Sequence, residues 1–177
     1  MADEQLLTFL SKGAEAWNQW RKDHPDLGHP DLTKADLHGA DLHGADLTNA
    51  DLTLANLFKT GLSGAKLAGA KLGGADLGGG DLTNANLVDA DLSGAVLIDA
   101  ILTGADLSEA NLSEADLTLA TLTHATLTHA TLTGAALTNA ATDFNTANTN
   151  DVAAWANVGY IATIEKDVKV TTGMNLG

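Results

Sequence analysis

The chain has 177 residues and no cysteine, so a single domain is expected, and disulfide and thiolate chemistry are excluded. Twenty-three acidic residues against nine basic ones give a formal net charge of −14, which serves solubility, and direct nucleic-acid binding is not expected. No apolar run approaches the roughly 20 residues of a membrane span, and the acidic start Met1-Ala2-Asp3-Glu4-Gln5 lacks a signal peptide's basic region, so a soluble cytoplasmic protein is expected.

Residues 1–24 carry no repeat. Leu6, Leu10, Gly13, Trp17 and Trp20 fall on one helical stripe with Asp3 as N-cap, and they predict an N-terminal helical cap. Pro25 and Pro30 then force extended backbone into the start of the repeat.

From Asp26 onward leucine recurs every fifth residue, 23 times without a gap. The series is Leu27, Leu32, Leu37, Leu42, Leu47, Leu52, Leu57, Leu62, Leu67, Leu72, Leu77 and Leu82 in its first half. It continues as Leu87, Leu92, Leu97, Leu102, Leu107, Leu112, Leu117, Leu122, Leu127, Leu132 and Leu137. Alanine stands two places before most of them, from Ala35 to Ala140, broken only by Thr60 and Gly80. On an α-helix a step of five advances about 140°, so the leucines would point all round the axis. On a straight strand an odd step sends successive leucines to opposite faces. A short extended piece followed by a tight bend gathers them on one side, and the chain must coil into a solenoid. The outward places agree: Asp or Asn before Leu (Asp36, Asn56), Thr or Ser after it (Thr48, Ser93), then often Gly or Asn (Gly39, Asn49), as tight corners require. A helical cap at the start covers the open apolar end and unpaired strand edges of the first coil.

The units Ala35-Asp36-Leu37-His38-Gly39, Ala40-Asp41-Leu42-His43-Gly44 and Ala45-Asp46-Leu47-Thr48-Asn49 resemble the A(D/N)LXX motif of the pentapeptide-repeat family. The leader Trp17-Asn18-Gln19-Trp20-Arg21, with Pro25 and Pro30 after it, resembles that of many cyanobacterial members. The resemblance implies an all-β solenoid: a right-handed quadrilateral β-helix, four pentapeptides per coil and about six coils, over residues 25–140. At about 4.8 Å per coil the rod would be roughly 28 Å long. The sequence shows no 20-residue superperiod, so the number four comes from the resemblance alone.

Of seven aromatic residues only Phe58 lies inside the repeat. With four units per coil, Lys66 and Lys71 would sit over Asp46 and Asp51 and relieve the run of acids from Asp26 to Asp51. Val96, Ile98 and Ile101 are large apolar residues at outward places, and Phe58 falls on the face of Val96 and Ile98. These four form a candidate protein-contact patch. After Ala140 the period fails, Thr142 standing where Leu was due, and residues 141–177 read as a short helical or irregular C-terminal cap. Within it Asn150 or Asp151 starts a short helix carrying Val152, Trp155 and Val158; Tyr160–Gly177 pairs on the last coil, dimerises or is partly disordered.

No catalytic constellation stands out. Gly73–Gly80 keeps the five-residue rhythm and lacks the strand–helix setting of a phosphate loop, and no Gly-x-Ser-x-Gly elbow occurs. His38, His43, His124 and His129 lie at solvated corners that nothing organises into a closed metal site. The Thr-x-Thr run from Thr121 to Thr133 does not make an ice-binding ladder, because successive units turn round the corners. No enzyme activity, metal or cofactor is expected. The reading is an interaction scaffold that binds a protein partner through a face or an end. The alternative rests on the resemblance, since some family members bind DNA gyrase as acidic rods: a DNA mimic acting on gyrase or another DNA-binding protein. The repeat carries 15 carboxylates against 4 lysines, net −11, but gathers them at one end.

Overall fold

The computed structural model describes residues 4–142. The expected N-cap Asp3, the helix of Val152, Trp155 and Val158 and nearly all of the expected C-terminal cap lie outside this range.

Two helices come first, α1 (Glu4–Leu10) and α2 (Ala14–Asp23). The single stripe expected from spacing is therefore broken. Gly13 adopts φ 95°, a left-handed conformation that ends the α1 turn and starts α2, which only glycine takes without strain. The bend still brings Leu6, Leu10, Trp17 and Trp20 into one buried group, with Trp17 fully covered and stacked on Trp20 at 5.1 Å between ring centroids.

The repeat then winds with a fixed register. Every parallel β-bridge links residues 20 apart, from Asp31 with Asp51 to Thr121 with Ala141. One turn is thus four five-residue units. Each side of the turn is too short for more than an isolated bridge, so the sheet on each face is built from single-residue rungs. Three ladder bonds and one turn bond recur per unit: Leu32 N–H to Asp51 O (2.8 Å), Lys34 N–H to Thr53 O (2.9 Å), Asp51 N–H to Pro30 O (2.9 Å) and, across the corner, Ala35 N–H to Leu32 O (3.0 Å).

The corners explain the outward sequence. From Leu32 on, the second residue after each leucine of the series lies in the left-handed region, as the third place of a tight turn allows. Glycine fills it at positions such as Gly39 and Gly94, but Lys34 (58°), Leu54 (58°) and Leu119 (62°) hold it as well. The Asp or Asn before each leucine braces the same corner: its Oδ1 accepts the N–H two residues on, as in Asp31 to Thr33 (3.0 Å), Asn86 to Val88 (3.1 Å) and Asp116 to Thr118 (3.0 Å). At Asp31 the Thr33 hydroxyl (2.7 Å) and then the Thr33 amide hold the carboxyl below its ordinary range.

Inside, the leucines from Leu32 to Leu137 and most of the alanines are buried. Leu27 is not part of this column; it is 51% exposed. The bridge ladder begins only at Asp31, and Leu27 lies in the turn after α2, its N–H bonded to His24 O (3.2 Å), with no coil to enclose it. Thr60 is the buried polar exception, its hydroxyl donating to Leu37 O at 2.7 Å. Directly above it in the register stands Gly80, so the two departures from the alanine pattern stack on one another.

The side chains of α2 take the place of a missing lower coil. Trp17 Nε1 donates to Asp46 O (2.7 Å), and Asn18 donates to Gly44 O (3.0 Å) while accepting Asp46 N–H (2.7 Å). Arg21 donates to Leu27 O (3.0 Å) and Thr48 O (3.1 Å). Of these, Asp46 N–H, Asp46 O and Thr48 O are groups that the coils above pair with a neighbour, as Lys66 N–H does with Ala45 O, and here the helix satisfies them.

Candidate partner-contact surface

The 20-residue register decides which outward residues meet. Val96 and Ile98 flank Leu97 on the outside of one unit, and Ile101 opens the next unit across the corner Leu97–Ala100. Val96 bridges Asp76 below and Asp116 above; Ile101 bridges Asp81 and Thr121. Ile98 is 39% exposed and Ile101 42%, whereas Val96 is half-buried. These three share one corner of the rod.

Phe58 lies on the face of Val96 and Ile98 and, like Val96, is half-buried. Its ring stacks on His38, one turn below, at 5.6 Å and 5° between planes. Lys59 Nζ lies 5.2 Å from its centroid on a cation–π contact. On the upper side the ring covers Gly78: a Cβ there would sit 3.1 Å from Phe58 Cδ2. Phe58 is a half-buried filler that occupies the space glycine leaves, and it forms the lower wall of the apolar corner.

Two exposed residues were missed from the sequence. Leu119, 50% exposed, stands on the corner one turn above Asp99, beside the coil over Ile98, and extends the apolar area upward. Leu54, 55% exposed, belongs to a different corner and leans over Gly74. The signal was present: each comes after Thr at the place where Gly or Asn is usual.

Charge is arranged by the same stacking. Lys66 lies over Asp46 (4.0 Å) and Lys71 over Asp51 (3.7 Å), as the register requires. Both lysines are exposed and both aspartates half-buried, and each pair contributes little individually. Elsewhere an amide replaces the second carboxylate, as in Asn56 Nδ2 to Asp36 (3.0 Å) and Asn111 Nδ2 to Asp91 (3.1 Å). His38 and His43 donate their backbone N–H groups to Asp36 and Asp41. Among the described residues no group of three or more His, Cys, Asp or Glu side chains is placed to hold a metal ion, and no helix is long and apolar enough to cross a membrane.

The family model for pentapeptide repeats matches residues 26–57, 62–99 and 100–139, in eight copies. The chain belongs to the pentapeptide-repeat family. Among solved pentapeptide-repeat structures, HetL, involved in heterocyst differentiation regulation in the cyanobacterium Nostoc sp. strain PCC 7120, is 32% identical, the match covering 68% of this chain and 75% of HetL with a TM-score of 0.24. Rfr23 from the cyanobacterium Cyanothece 51142 is 26% identical over 73% of this chain and 96% of its own, with a TM-score of 0.26. QnrB1, a plasmid-mediated fluoroquinolone resistance protein, is 20% identical over 63% of this chain, with a TM-score of 0.44; the match spans 55% of QnrB1. No curated protein matches the sequence.

Proposed function

We propose that this pentapeptide-repeat protein is a non-enzymatic scaffold that binds a protein partner through the corner of Val96, Ile98, Ile101 and Leu119. Its frame is read as a right-handed quadrilateral β-helix of just under six coils over residues 25–140, with residues 1–24 as a cap on the lower end and 141–177 as the cap on the upper end. One observation carries the functional reading: three large aliphatic side chains are 39–50% exposed together at one corner of the rod, whereas Leu54 stands singly on another. Clustered exposed apolar residues on a protein surface mark candidate interaction sites. Capture of partners from the native host with wild type and with Val96→Asp plus Ile98→Asp tests it. A partner retained by the wild type and lost from the variant supports the reading; identical captured sets overturn it.

The gyrase reading has less in its favour. The stacked acids of the lower coils are interrupted by the ion pairs of Lys66 and Lys71 and by Lys59 over Phe58.

A further inference from the structure

We propose that the apolar corner accepts a basic polypeptide segment, one aliphatic or aromatic side chain seated against Ile98 and Ile101 and Lys or Arg on both sides of it. This rests on the interaction reading above and states what kind of partner the corner fits.

The case is one of charge complementarity. The register frames the aliphatic residues with carboxylates. Asp76 and Asp116 lie directly below and above Val96, Asp81 lies below Ile101, and Asp99 occupies the corner between Ile98 and Ile101. Three of these are held in fixed directions, because one oxygen of each accepts a corner amide: Asp76 from Gly78 (3.0 Å), Asp81 from Thr83 (2.9 Å) and Asp116 from Thr118 (3.0 Å). The other oxygen is not used in that bond. A frame held this way loses little side-chain freedom when a cation meets it.

Two of the four lysines of the repeat pair on other faces. The ion pairs Lys66–Asp46 and Lys71–Asp51 belong to the other faces. Lys59, two turns below Asp99, sits over the Phe58 ring. The same charges choose among occupants. A second copy, itself at net −14, would bring this acidic frame against its own likeness, and an anionic membrane or nucleic acid would be repelled. A segment with an apolar anchor between cations meets both halves of the surface. Ile98 and Ile101 supply the exposed apolar half, with the Phe58 ring packed over Gly78 below Ile98.

The experiment uses the full chain and three fluorescein-labelled 12-residue peptides. One has Leu-Phe between Lys/Arg flanks, one has the same anchor between Glu flanks, and one has the basic flanks around Ser-Ser. Fluorescence anisotropy is read at low and physiological salt. The basic, apolar-anchored peptide is expected to bind at least ten-fold more tightly than either control. Asp76→Asn, Asp81→Asn, Asp99→Asn and Asp116→Asn together should weaken it at least ten-fold; Asn preserves the corner bond, as Asn56, Asn86 and Asn111 show. Ile98→Asp plus Ile101→Asp should also weaken it ten-fold, although it adds two negative charges. Binding that is unchanged or tighter in this last variant is plain attraction of unlike charges and overturns the proposal. So does equal binding of the three peptides. If host-partner capture depends on Val96 and Ile98 while the basic peptide binds no better than its controls, the interaction reading stands and this inference falls.

Discussion

Asn18 is the side chain on which the junction between α2 and the lowest coil turns. Its amide oxygen accepts Asp46 N–H at 2.7 Å and its amide nitrogen donates to Gly44 O at 3.0 Å, so one residue satisfies two backbone groups that no coil pairs from below. Asn18→Leu keeps the volume and removes both bonds. A hydrogen bond contributes about 1 kcal/mol net, and both sites are partly buried, so the loss is about 2 kcal/mol. Stability in a solenoid is a sum of neighbouring contacts, so the loss falls on the helix–coil junction rather than on the whole rod. Native-state hydrogen exchange resolves it. The Asp46 amide should lose about 30-fold in protection, which is 2 kcal/mol at 1.4 kcal/mol per decade. The Asp51 amide, bonded to Pro30 O at 2.9 Å, should change far less. An Asp46 amide equally protected in wild type and variant refutes the idea that side chains of α2 stand in for backbone.

Three further outcomes are expected from the packing. At Gly80 a Cβ would meet Leu77 O at 3.0 Å and Thr60 O at 3.4 Å, and the ladder bond Asp81 N–H to Thr60 O is 3.1 Å against 2.9 Å for its neighbours such as Asp76 N–H to Ala55 O. Gly80→Ala should cost about 1–2 kcal/mol by overpacking, and Thr60→Ala about 1 kcal/mol for its hydrogen bond; in urea melts the double variant, which restores two alanines, should fall short of the sum by at least about 0.5 kcal/mol, and strict additivity would count against a coupled pair. Leu119→Asn should raise the stability read from urea melts by about 0.5–1 kcal/mol, because Asn tolerates the left-handed corner that Leu119 holds at 62°, while weakening partner capture; a lowered midpoint would disprove the strain. Because the folded carboxyl of Asp31 is lowered, its contribution is present above the unfolded carboxylate value and is lost as pH falls through the folded one; Thr33→Val should move the Asp31 carboxyl titration upward in NMR, and an unmoved titration would remove Thr33 as the cause.

The leucine column was legible because burial acts on every unit alike, so selection for an inward aliphatic residue leaves a period that no element of ordinary length shares. The number of units per turn was not legible. It is carried by backbone ladders between residues 20 apart, and those are indifferent to outward side chains: Val96, Asp116 and Ala136 share one rung column with nothing in common. Whatever depended on that number was legible only in outline. Phe58 has the spacing of a free apolar contact and is instead the lid of Gly78. Thr60 and Gly80 stand far apart in sequence and stack in the fold. Leu27 keeps the period but lies before the first rung, where periodicity carries no burial with it. Gly13 fits the helical stripe by spacing, and its backbone freedom, which spacing ignores, decides the break.

A turn of four equal sides has an arithmetic of its own. Add or remove five residues between Leu62 and Leu92 and the aliphatic stack closes again without a gap, but everything above is swung through a right angle relative to α2. A change made before Gly78 gives Phe58 a different neighbour, and in every case the corner of Ile98 looks in a new compass direction. Twenty residues added or removed restore the bearing and change only the height. Length in this molecule can drift in small steps, whereas a partner that grips both the lower end and the corner tolerates change only in whole turns.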